Sequence, residues 1–66
     1  MNILTKREKE VFNLLINNYS TKEIAHILLI SEKTVRNHIS NVIQKLGVKT
    51  RSSALIELIR LDEIKI

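Results

Sequence analysis

Residues 30–47, "ISEKTVRNHISNVIQKLG", predict a helix with one apolar face and one polar face. Ser31 suits the N-cap because its hydroxyl can accept a hydrogen bond from a free amide of the first turn. Gly47 suits the left-handed backbone in which helices commonly end. Between these ends the apolar residues recur at helical spacing, which places them on one side. They are Val35, Ile39, Val42, Ile43 and Leu46.

The residues before this helix predict a second, shorter helix. The sequence Ser20-Thr21-Lys22-Glu23 is a capping box, in which a hydroxyl and a glutamate satisfy each other's backbone amides. Only Leu29 and Ile30 separate the end of this helix from Ser31. So short a connection makes the two helices cross steeply, as in a helix-turn-helix unit spanning residues 21–40. Many such units carry glycine in the turn, and Leu29 departs from that pattern.

Two further helices flank this unit. The sequence Thr5-Lys6-Arg7-Glu8 is another capping box and begins a first helix that fades near residues 17–18. Thr50 or Ser52 caps a fourth helix over about residues 51–61. The apolar faces of these two helices are predicted to comprise Leu4, Val11, Leu14 and Leu15, and Ala54, Leu55, Leu58 and Leu61. The predicted fold is one all-α domain, a four-helix bundle that contains a helix-turn-helix.

The composition excludes several classes of protein. The chain has 66 residues and no cysteine, so no disulfide or thiolate–metal site supports its core. No apolar run approaches the roughly 20 residues of a membrane span, and no signal-peptide pattern opens the chain. His26 and His38 lack a third metal ligand nearby, and no glycine-rich phosphate loop is present. We therefore expect a cytoplasmic protein that is not an enzyme, with no cofactor, metal or membrane partner.

Positive charge is concentrated in the second half of the chain. The net charge is +4, and residues 31–56 hold five basic residues against one acidic residue. The rest of the chain has six of each sign. This asymmetry fits a polyanionic partner, although charge alone is equally compatible with a basic, well-solvated surface.

The polar face of the third helix has the chemistry of base recognition. Residues near the start of a recognition helix meet base edges in the major groove. Arg36 can donate two hydrogen bonds to guanine, and Asn37 can pair with adenine. Thr21, Lys22, Thr34 and Lys45 suit phosphate contacts, because helix starts offer amides and hydroxyls and lysine offers charge. Solvation of a helix surface is the alternative for each, and His38 is suited both to phosphate and to the core edge.

Three blocks of sequence resemble the LuxR/GerE-like family of DNA-binding domains. They are "LTKREKEV" (4–11), "STKEIAHILLISEKTVRNHISNVIQKLGVKTR" (20–51) and "SSALIELI" (52–59). The resemblance implies a transcription regulator that inserts its third helix into the major groove of double-stranded DNA. It implies base-facing side chains at Arg36, Asn37 and Ser40. It implies backbone-facing side chains at Thr21, Lys22, Lys33, Thr34, His38, Asn41 and Lys45.

Within this family the sequence resembles a small bacterial regulator of spore formation, which implies a role in sporulation. Most members join this domain to a receiver or ligand-sensing domain. This sequence begins three residues before the first block, so it is expected to be a stand-alone member or a fragment. Two other functions stay open. One is the output domain of a two-component response regulator, and the other is a helical protein-interaction module that docks on RNA polymerase, like sigma region four.

The fourth helix predicts a contact between two copies of the chain. Ile56 and Ile59 are apolar residues left over from the core face, and Arg60 borders them. Family members dimerise mainly through this helix, so the resemblance implies a homodimer on a partly symmetric operator. Scattered surface hydrophobic residues are the alternative. Ile64 and Ile66 in the tail either add apolar contacts or fray.

Overall fold

The computed structural model describes residues 3–65 and contains four helices. They are α1 (Lys6–Ile16), α2 (Thr21–Leu28), α3 (Glu32–Leu46) and α4 (Arg51–Arg60). No strand occurs among the described residues. Helix α3 packs against each of the other three, and α1 also packs against α2. The predicted all-α class is therefore confirmed, with α3 at the centre of the bundle.

Each helix begins at a hydroxyl residue, as the sequence predicts. The four caps are Thr5, Ser20, Ser31 and Thr50. Each hydroxyl accepts a hydrogen bond of 3.0–3.1 Å from the amide three residues ahead. At α1 and α2 the reciprocal bond completes the capping box, because Glu8 and Glu23 accept from the cap amides at 2.9 and 2.8 Å. Of the two caps considered for α4, the hydroxyl of Thr50 is the one used.

Each of the four helices is followed, within two residues of its end, by a residue with left-handed backbone. These residues are Asn18, Leu29, Gly47 and Asp62, with φ between 58° and 70°. After each of them the chain closes with the two backbone hydrogen bonds of a Schellman motif. In α2 these bonds run from the Leu29 amide to the His26 carbonyl and from the Ile30 amide to the Ala25 carbonyl. The turn of the helix-turn-helix thus keeps the backbone that glycine usually supplies, with leucine in its place.

Replacing Leu29 with glycine is expected to stabilise the protein. Left-handed backbone costs a leucine about 1–2 kcal/mol, and the side chain is 88% exposed, so little packing is lost. Part of this gain is lost, because glycine makes the unfolded chain more flexible and so raises the entropy cost of folding. We expect the free energy of unfolding, measured with urea, to rise by up to about 1 kcal/mol. Asn18→Gly is the control, with a smaller gain because asparagine tolerates this backbone; equal effects in the two variants would refute strain at Leu29.

Among the described residues, twelve apolar side chains from all four helices and both flanking segments form the core. They are Leu4, Val11, Phe12, Leu15, Ile24, Ala25, Val35, Ile39, Val42, Ala54, Leu58 and Ile64. Two residues of α1 differ from the prediction. Phe12 is fully buried although it was not assigned to the core face, and Leu14 is only half-buried. The predicted stripe of α3 is confirmed, with Ile43 and Leu46 packed at its margin.

The end of α4 departs from the sequence-based prediction. Leu61 was expected in the core and is instead 39% exposed. The helix ends at Arg60, and the left-handed turn at Asp62 redirects the chain. Ile64, only 2% exposed, then occupies the core in place of Leu61. The predicted apolar contacts of the tail therefore form at Ile64, while Ile66 lies outside the described residues.

Candidate nucleic-acid interface

The outer face of α3 presents a continuous set of hydrogen-bonding side chains. Because Val35, Ile39 and Val42 turn into the core, the residues between them turn outward. The exposed members of this face are Lys33, Arg36, Asn37, Ser40 and Asn41. Thr34 and His38 are half-buried at its edge. Seven of the ten residues predicted to contact DNA thus lie on one helix and around one surface.

Arg36 has an acidic neighbour on this face. Its guanidinium Nη1 lies 3.5 Å from Oε1 of Glu32, one turn earlier in α3, and both side chains are about half exposed. An exposed ion pair at this spacing contributes only about 0.3–0.5 kcal/mol. The guanidinium therefore remains free to exchange this carboxylate for another acceptor. The four-residue spacing of Glu32 and Arg36 is the sequence pattern that favours such a pair on a helix.

The starts of α2 and α3 carry the remaining predicted backbone contacts. Lys22 is exposed in the first turn of α2, next to the half-buried Thr21. Thr34 is partly committed within the protein, because its hydroxyl lies 2.9 Å from the Ser31 hydroxyl that caps α3. Free amides at a helix start favour a bound anion, and a lysine beside them adds charge. The two helix starts are therefore suited to phosphate oxygens.

Lys45 is tied to the interior of the bundle instead. Its ammonium group forms an ion pair with the Glu8 carboxylate of α1. It also donates a 3.1 Å hydrogen bond to the Ile3 carbonyl. Glu8 is only 4% exposed. Burial alone raises the pKa of this carboxyl, but the hydrogen bonds from Lys45 and Thr5 outweigh burial and hold the pKa below its ordinary value. The Glu8 carboxyl is consequently ionised at neutral pH. Nothing in the sequence pattern indicates this pair.

The outer side of α4 is partly apolar. Ile56 is 67% exposed, whereas Ile59 is half-buried and packs against the core. Ile59 therefore contributes to the core as well as to the surface, whereas it was predicted to lie outside the core face. Arg60 bonds Glu57 on the same helix, at 3.0 Å and 2.5 Å. The predicted interface residues therefore present one exposed isoleucine and one arginine already engaged with a carboxylate.

A second apolar surface lies on α2 and was not predicted. Tyr19 and Ile27 are exposed there, and Leu29 lies at the adjoining turn. A shallow groove of about 390 Å³ is lined by Tyr19, Lys22, Glu23, His26 and Ile27. His26 is exposed on the same surface. Scattered apolar surface residues are ordinary in small proteins, so this groove does not by itself identify a binding site.

Between residues 3 and 65, no three histidine or acidic side chains lie close enough together to hold a metal ion. None of the helices over the same residues is long and apolar enough to cross a membrane.

Comparison with known proteins identifies the family of this chain. The sequence model described as "Bacterial regulatory proteins, luxR family" matches residues 2–58. The chain belongs to the luxR family. It is 64% identical over 64 residues to the spore germination protein GerE of Bacillus subtilis, covering 97% of this chain and 86% of GerE. It is 46% identical to the transcriptional regulatory protein DegU of Brevibacillus brevis, of which it spans only 28%.

The fold agrees with this assignment. A solved structure of the transcription factor GerE matches with a TM-score of 0.95 and 62% sequence identity, over 98% of this chain and 97% of that one. The predictions of a luxR-type helix-turn-helix and of a DNA-binding transcription regulator are thereby confirmed. The family consists of regulators of transcription, in line with the expectation that the chain is not an enzyme.

Proposed function

We propose that the chain binds a partly symmetric operator as a homodimer and inserts α3 of each subunit into the major groove. The observation that carries this proposal is the outer face of α3. Five exposed hydrogen-bonding side chains project there from a helix whose other side is fixed in the core. A rigid helix with such a face matches the width of the major groove. The short turn to α2 is the arrangement in which such a helix is presented to DNA.

Within this face we assign base recognition to Arg36, Asn37 and Ser40. All three are exposed and lie on consecutive turns in the first two-thirds of α3. The fork of Arg36 suits the two acceptors of guanine, and the amide of Asn37 suits the donor and acceptor of adenine. The Ser40 hydroxyl can serve with either base type. Base recognition by these three side chains would supply the sequence preference.

We assign the remaining side chains to the DNA backbone, where they would fix orientation without reading sequence. Lys22 and Lys33 are exposed cations at the starts of α2 and α3. The other proposed backbone contacts are Thr21, Thr34, His38 and Asn41. Lys45 was predicted in the same set, but its ion pair with Glu8 argues against a phosphate contact.

The dimer is proposed to form through α4. Ile56 supplies exposed apolar surface there, and Ile59 and Arg60 border it. In a two-fold arrangement the same surface meets its own copy, so one exposed isoleucine per subunit contributes twice. Two linked recognition helices would then reach two half-sites of one operator.

The biological role proposed is control of sporulation genes in the bacterial cytoplasm. It is supported by the 64% identity to a protein named for spore germination. The alternative is that the chain is the output domain of a longer two-component response regulator. The match to DegU supports this, because the chain corresponds to only 28% of that protein. RNA polymerase remains a further predicted partner.

Selection of bound sequences from random DNA tests the proposal. A dimer that places two recognition helices on one face of the duplex should enrich inverted half-sites. Their centres should lie about one helical turn apart, or a multiple of it. Enrichment of single half-sites would refute the proposed dimer but support sequence-specific DNA recognition. No enrichment at all would refute sequence-specific binding.

The Arg36→Ala variant separates base recognition from backbone contact. Losing a bidentate contact with guanine should weaken binding to the selected operator by about 1–3 kcal/mol and relax the preference at one position. Lys22→Ala is the control, because a lost phosphate contact weakens all sequences about equally. Both variants are compared on operator and random duplexes at one salt concentration. If Arg36→Ala weakened both duplexes alike, Arg36 would be a backbone contact.

A further inference from the structure

One ion pair ties the far end of α3 to the start of α1. Lys45 is in the last turn of α3, and its ammonium group binds the Glu8 carboxylate and the Ile3 carbonyl. The same carboxylate accepts the Thr5 amide at 2.9 Å as part of the α1 capping box. Two of the three donors of Lys45 are thus used inside the protein. The carboxylate of Glu8 in turn serves two helices at once.

We propose that Glu8 and Lys45 are positioning residues for DNA binding. In this proposal, which rests on the proposed function, the pair fixes the orientation of α3 and Lys45 makes no phosphate contact. Glu8 is almost completely buried, so its charge needs a partner. If Lys45 moved away to contact a phosphate, the Glu8 carboxylate would remain as a buried charge without its cationic partner, which is strongly unfavourable. The paired charges also cancel at a distance, so Lys45 adds little attraction for DNA.

The geometry of α3 makes its orientation important. Arg36 lies nine residues before Lys45, which is about 14 Å along the helix axis. A tilt of about 5° over that length moves a base-facing side chain by about 1 Å. Hydrogen bonds to a base edge weaken steeply over such a displacement. The start of α3 is held through the turn to α2, and the Glu8–Lys45 pair holds its other end.

The Lys45→Met variant tests the assignment in the full chain. Methionine keeps most of the side-chain length and removes the charge. We expect affinity for the selected operator to fall about tenfold, equivalent to roughly one base contact, with a smaller loss on random duplex. The slope of log affinity against log salt should stay unchanged. Lys33→Met is the matched control on the proposed DNA face, where the slope should become shallower by about 0.9 per subunit.

Glu8→Gln provides a second variant that buries no lone charge. It frees the ammonium group of Lys45 and removes a negative charge. If Lys45 contacted phosphate, this variant would bind all DNA more tightly and with a steeper salt slope. Positioning predicts the opposite, a loss on the operator with the slope unchanged. Urea unfolding of each variant ensures that affinities refer to folded protein.

The outcomes separate this inference from the proposed function. A shallower slope in Lys45→Met, with equal weakening of operator and random duplex, would make Lys45 a phosphate contact and overturn the inference alone. Unchanged operator affinity in folded Lys45→Met and Glu8→Gln would reduce the pair to fold stability and overturn it as well. If neither the unmodified chain nor Lys33→Met bound DNA in a salt-dependent way, the proposed function itself would fail.

Discussion

An Ile56→Glu variant is expected to lose the dimer while keeping its fold. Ile56 is 67% exposed on α4, whereas the fully buried residues of this helix are Ala54 and Leu58. If Ile56 lies in a two-fold interface, the substitution places a carboxylate in an apolar contact on both subunits. Binding two linked half-sites would then revert to binding one. Apparent affinity for the full operator should fall by about 10²–10⁴-fold, with half-site affinity unchanged.

Sedimentation equilibrium, helical circular dichroism and binding to full and half operators test this together. Ile59→Glu is a poorer test, because Ile59 packs partly against the core and its replacement would also weaken the fold. Ile27→Glu is the matched control, since it changes another exposed isoleucine in the same way on α2. It should leave the mass and the operator preference unaltered. A folded Ile56→Glu variant that still sediments as a dimer would remove α4 from the interface.

The helices and their order could be predicted because their determinants are local. A hydroxyl residue that caps the amide three positions ahead marks each helix start. At α1 and α2 a glutamate completes the capping box. The outer face of α3 could be predicted for a related reason. Once Val35, Ile39 and Val42 are recognised as one stripe, the opposite side chains must face outward. The candidate DNA surface therefore follows from helical periodicity alone.

Features that depend on distant contacts could not be predicted. Glu8 and Lys45 are separated by 37 residues, and no local pattern indicates that their side chains meet. Helical periodicity continued past Leu58 predicts Leu61 in the core, but the chain turns at Asp62 and Ile64 is buried instead. Both cases require the packing of α1, α3 and the tail to be known first.

The turn of the helix-turn-helix shows a different limit. Its two-residue connection predicts a steep helix crossing, but leucine at position 29 gives no indication of the left-handed backbone found there. The two hydrogen bonds of the Schellman motif and the closure of α2 onto α3 hold leucine in a conformation that it disfavours by itself. Tertiary contacts thus override the local preference at this position.

The affinity for DNA is expected to fall by about 10²-fold when salt is raised from about 50 to about 200 mM. Lys22 and Lys33 are the exposed cations assigned to phosphate on the proposed DNA surface, and a dimer doubles them to about four contacts. At a slope of about −0.9 for each contact, four contacts give this loss over a fourfold rise in salt. Lys45 is not counted, because its charge is paired with Glu8.

Fluorescence anisotropy of a labelled operator, titrated at several salt concentrations, measures this dependence. The slope of log affinity against log salt should be about −3.6 for the dimer, at about −0.9 per contact. The monomeric Ile56→Glu variant should show about half that slope, because it retains one set of two cations. A full slope in a monomer would mean that other basic residues, such as Lys49 and Arg51, contribute to the footprint. Affinity that stayed flat across this range would rule out phosphate neutralisation and, with it, the proposed interface.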